Sequence, residues 1–161
     1  MDNGSKIAGI ALIGLLLISS VCVFMMMEAY RDANPDPYEE TRRYTVEGTL
    51  DGSDCTGTGR CEFLEEGGGG RVYRITLDFK DTASEHKGSA EVHVIFGSDD
   101  RMAEMFEYEG AATIDGKETS VYTFTYEGVD YKFYTMEKCE ILRITAVSDS
   151  FSVVADEIVS A

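Results

Sequence analysis

Cys55 and Cys61 stand six positions apart in GSDCTGTGRC, a stretch rich enough in glycine to fold back and bring two sulfurs together. A local disulfide is the chemistry this spacing favours, and it requires an oxidising compartment. A loop this short contributes at most about 2–3 kcal/mol through chain entropy, so the bridge would rigidify a hairpin instead of holding a domain. Cys139 is then left over, and a bridge from it to Cys55 or Cys61 stays open. Zinc is the poorer alternative, because a structural site wants a full tetrahedral ligand set and no Cys-x-x-Cys pair or histidine cluster accompanies these cysteines.

Asp51 and Glu62 occupy the first and twelfth positions of a calcium-loop spacing. The interior disagrees, with Cys55 where a carboxylate or amide belongs and Thr56 where the sharp turn needs glycine. His86 lies in a polar loop over residues 81–89. His93 alternates with Val92, Val94 and Phe96, which turns it toward solvent. Neither histidine adjoins a serine or cysteine as base to nucleophile. No catalytic, cofactor-binding or metal-binding residue is assigned, and the expectation is a protein that is not an enzyme.

The group with most bearing on binding is aromatic. Tyr122, Phe124, Tyr126, Tyr131 and Phe133 crowd a Glu127-Gly128 turn, with Phe106 and Tyr108 upstream. Across an antiparallel pair such rings stabilise the sheet by about 0.2–1 kcal/mol per pair. Pointing into a small barrel, the same five would line an apolar ligand pocket.

These residues ride on strands. From Tyr44 onward a period of two dominates: Tyr44, Val46 and Leu50 on one face, then Tyr73, Ile75, Leu77 and Phe79. The pattern recurs over residues 91–96, 120–126, 129–136, 141–147 and 151–155, with a short piece at 62–65, which makes about eight strands. Gly67 to Gly70, Glu127-Gly128 and residues 148–150 supply turns, so consecutive hairpins in an antiparallel meander are expected. One helix is expected after Ser98, its Met102, Met105 and Phe106 on one side, plugging one end of a β-sandwich or β-barrel.

Ahead of the strands, residues 7–27 are IAGIALIGLLLISSVCVFMMM, without charge or proline and long enough as a helix to span a bilayer. The run exceeds a signal peptide's apolar core, and no A-x-A site follows it. Cys22, preceded by Ser19, Ser20 and Val21, lacks a lipobox and reads as one more apolar residue of the span. The division is a cytoplasmic tail (1–6), a transmembrane anchor (7–27), a stalk with both prolines (28–43) and an extracytoplasmic β domain (44–161). Orientation rests on the short amino-terminal tail and the cysteine spacing, since Lys6 and Arg31 flank the span on opposite sides.

The chain carries 30 acidic and 14 basic residues, net −16, and all but Asp2 and Lys6 follow the anchor. Such a surface repels phosphate backbones, which excludes nucleic acid and leaves an unidentified protein or small molecule as partner, besides the membrane. Anchor, short stalk and β domain together resemble the architecture of a type IV pilin, which implies a filament subunit. Pilins usually carry a glutamate shortly after their basic tail, where Lys6 is here followed by Ile7, Ala8, Gly9, Ile10 and Ala11. A secreted carrier with a lipocalin-like cavity is the third reading and requires removal of the apolar run. The primary expectation is a single-pass, membrane-anchored, non-catalytic binding or interaction module.

Overall fold

In the computed structural model, the chain is described over residues 41–136 and 140–159, together with Cys22, Met25 and Met26, which are helical. It divides into two units, Met1–Pro37 and Tyr38–Ala161. The anchor and most of the stalk lie outside the described residues. Among the described residues no helix is long and apolar enough to cross a membrane.

Alternation becomes strand wherever the sequence offers it. β1 (Arg42–Leu50), β3 (Gly70–Asp81) and β4 (Lys87–Gly97) bury Tyr44, Val46, Leu50, Tyr73, Ile75, Leu77, Phe79, Val92, Val94 and Phe96 on one face. β7 (Val129–Met136), β8 (Glu140–Val147) and β9 (Phe151–Glu157) add Tyr131, Phe133, Ile144, Ala146, Val153 and Ala155 to the same core, and β6 (Lys117–Tyr126) packs the partly buried Tyr122 and Phe124 against it.

Among the described residues one further strand raises the number from about eight to nine, and the short piece expected at 62–65 proves to be the end of a much longer one. β5 (Glu107–Ile114), with the sequence EYEGAATI, has too little apolar alternation to be read as a strand. β2 (Ser53–Gly67) corrects the glycine-rich loop: it is one strand, paired with β1 on one side and β3 on the other. Asp51-Gly52, Asp115-Gly116 and Glu127-Gly128 all take positive φ at both positions, the signature of the two-residue turn whose twist matches a hairpin.

The nine strands form one open antiparallel sheet in the order β4-β3-β2-β1-β9-β8-β7-β6-β5. Every pairing is antiparallel, and the first strand pairs with the last. Among the described residues the sequential meander is thus interrupted only between β4 and β5. Counted through the sheet these two edges have the same sense, so joining them would make a parallel pair. A parallel connection needs about a dozen residues or more, and only residues 98–106 lie between Gly97 and Glu107. That linker holds α1 (Asp99–Met105), whose Met102 enters the core beside Phe106, as their spacing predicts. Ser98 is the N-cap but makes no side-chain capping bond.

The sheet coils over its own buried face. Phe96 of β4 meets Phe133 of β7 edge to face at 5.8 Å, although the two strands are not neighbours. The Tyr44 hydroxyl donates to the Ile141 carbonyl at 2.9 Å, passing under β9 from β1 to β8.

Candidate binding seam

The gap between β4 and β5 places the aromatic group. Register sets Tyr122 of β6 opposite Phe133 of β7 and Phe124 opposite Tyr131, so the five aromatics named from sequence share one face. They divide by depth. Phe133 and Tyr131 are buried in the core, Tyr122 and Phe124 are half-buried at its margin, and Tyr126 is 45 % exposed. Tyr108 of β5, 57 % exposed, extends the series with its ring 5.5 Å from that of Tyr122.

Phe106 ties the two sides of the seam together. Its ring stacks on Phe96 of β4 at 5.6 Å and meets Phe124 of β6 edge-on, also at 5.6 Å. Phe124 in turn stacks on Tyr126 at 6.3 Å. Such contacts contribute about 0.5–1.5 kcal/mol each beyond area burial. A continuous row of rings therefore leads from the core to solvent through the seam.

Carboxylates rim it. Burial, then the charges of Glu127 and Glu91, push the Tyr131 hydroxyl up to about 12, which places a carboxylate from each side of the seam within electrostatic reach of one phenol. Glu109, at the bulge of β5, is neutralised by Lys132 at 2.8 Å. Glu91 has His93 at 3.7 Å, both exposed. Rings with an acidic rim can hold a cation by charge and by the ring quadrupole.

The concavities described elsewhere on the domain are not built from these aromatics. One of about 460 Å³ lies over the outward side of β2, β3 and β4, lined by Thr56, Thr58, Asp78, Lys80, Lys87 and Ser89 among others. A second, of about 330 Å³, is lined by Ala111, Ala112, Thr113, Gly116 and Glu118.

The disulfide expectation is corrected. Cys55 and Cys61 are both buried and free, and both sit on β2. Six residues of extended chain separate their Cα atoms by about 20 Å, far beyond the roughly 7 Å that a bridge spans. A pairing with Cys139 lies outside the described residues. Cys61 sits in the electrostatic reach of Tyr44, Arg42 and Glu157, and burial raises its thiol to about 12. Burial, then Asp54 and Asp81, also raises the Cys55 thiol.

Both cysteines are consequently expected to resist maleimide in the folded chain at pH 8, where the Cys61 thiolate fraction is on the order of one in ten thousand. Both should label promptly in denaturant. Intact mass before and after unfolding reads this directly, and prompt labelling of either residue in the native chain would contradict the burial.

His86 pairs with Asp51, Nε2 to Oδ2 at 2.7 Å, where two exposed loops meet, with no nucleophile in the pair. The residues of the calcium-loop spacing are drawn out along β2, so Asp51 and Glu62 stand far apart. Among the described residues no group of three or more His, Cys, Asp or Glu side chains is placed to hold a metal ion. Sequence reasoning found the aromatic rungs but missed the seam that exposes them and the part of Glu91 on its far side. No protein-family model matches the chain, and no curated protein matches it in sequence.

Proposed function

We propose that this chain is a single-pass, membrane-anchored protein whose β domain, an incompletely closed barrel, stands outside the cytoplasm and binds a partner without catalysis. The observation that carries the binding reading is the acid-rimmed aromatic seam. Tyr108 and Tyr126 remain largely in water next to half-buried Tyr122 and Phe124, and contiguous aromatic surface of this kind marks interaction sites. The anchor rests on the apolar run at residues 7–27. The net charge of −16 makes the partner cationic or neutral.

Expression of the full chain in membranes tests the placement. External protease should remove the domain from intact cells, and intact mass should find the amino terminus uncut. A domain shielded on the cytoplasmic side overturns the reading. Cleavage near Lys6 would instead indicate the pilin-like subunit, and cleavage near Ala29 the secreted carrier.

A further inference from the structure

We propose that the seam between β4 and β5 accepts one extended, cationic polypeptide segment of a partner protein, added as a strand antiparallel to β4. This rests on the binding-module reading and names the partner's chemistry. The first argument is parity. Nine antiparallel strands cannot form a ring that is antiparallel at every junction, and among the described residues the single unpaired junction is β4 with β5. One added strand can run antiparallel to β4 and satisfy the backbone groups that this edge leaves bare.

The two edges are not equivalent. β5 is broken by a bulge between Tyr108 and Gly110, the latter at φ 129°, and bulges discourage pairing. β4 pairs with β3 over residues 70–80 and 87–97 without a register shift and contains no proline. It is the regular edge, and a segment laid along it has Tyr126 and Tyr108 across the seam.

Charge selects the occupant. Glu91 stands exposed on β4, Glu107 on β5 and Glu127 at the β6–β7 turn, against Lys87 and His93 on the β4 edge. A second copy of a chain of net charge −16 is repelled, whereas a strand with alternating lysines meets carboxylates and exposed rings together.

The test titrates the full-length chain, at low salt, with a ten-residue peptide of alternating valine and lysine. Two isomers of it carry N-methyl groups on the odd or the even backbone amides, and a valine–threonine peptide serves as the uncharged control. Saturable one-to-one binding of the parent is expected, with loss in at least one N-methylated isomer, little binding of the control, and weakening by about tenfold in Glu91→Lys. Glu91 is exposed, so that variant keeps the fold.

Undiminished binding of both methylated isomers overturns strand addition while leaving a binding module. Equal binding of the uncharged control overturns the cationic occupant. No binding of the parent, or self-association of the chain through the same edge, overturns the proposal as a whole. Failure of the anchored reading shows separately, in the protease experiment.

Discussion

Replacing Phe133 by alanine is expected to lower the stability of the β domain by about 3–5 kcal/mol, the range for a buried phenylalanine truncated in a packed core. Phe133 is 0 % exposed. Its ring touches Tyr131 on its own strand at 6.0 Å, Phe106 at 5.6 Å and Phe96 of β4 at 5.8 Å. Truncation therefore opens a void where the two halves of the sheet and the helical linker meet. Domains have about 5–15 kcal/mol in total, so the loss is a large fraction and should move the urea midpoint of the full-length chain far to the left. Tyr126→Ala, which removes an exposed ring, should change stability by less than about 1 kcal/mol. If Phe133→Ala costs no more than Tyr126→Ala, the halves do not share one core.

How far the sequence foretells this arrangement depends on where the energy of each strand lies. β1, β3, β4 and β7 carry their burial as alternation, so Tyr44, Val46, Ile75, Leu77, Val94 and Phe133 are readable as inward-facing before any partner strand is known. β2 and β5 do not. β2 places Gly57 and Gly59 on the inward side, and glycine at such positions looks like a loop until the neighbours that crowd it are in view. β5 offers alanines and a bulge, and is held by its ladder to β6 instead of by burial of its own side chains. The disulfide expectation failed for the same reason, since a strand and a loop over residues 55–61 have the same composition and only the pairing of β2 with β1 and β3 separates the sulfurs. At the seam, the common face of Tyr122, Phe124, Tyr126, Tyr131 and Phe133 follows from period and turn. Their unequal burial does not, because it depends on the unpaired edges, and those depend on the parity of the whole sheet.

Gly57→Ala should be among the most damaging small substitutions in the domain. A Cβ at this position would lie 1.9 Å from the Asp78 carbonyl oxygen and 2.6 Å from the Phe79 Cα. Both obstacles are backbone of the paired strand, so no rotamer change relieves them, and β3 must move away from β2. Overpacking that side chains can absorb costs about 1–3 kcal/mol; here the expected loss is about 3 kcal/mol or more, or failure to fold.

The crowding has a structural cause. Phe79 is paired with Gly57 on one side and Gly88 on the other, its ring lies where a Gly88 Cβ would stand, and it packs on Phe151 at 5.0 Å. The aromatic ring thus covers Gly88, the arrangement by which a large ring compensates for a missing neighbour, while the Phe79 backbone crowds Gly57. Gly67→Ala supplies the contrast on the same strand, for a Cβ there meets nothing within 4 Å and the backbone does not need positive φ. It should be neutral or slightly stabilising, by up to about 1 kcal/mol, through the unfolded state. Equal urea midpoints for Gly57→Ala and Gly67→Ala would mean that β2 and β3 do not approach closely at Gly57, and the coil that brings Phe96 onto Phe133 would lose its physical basis.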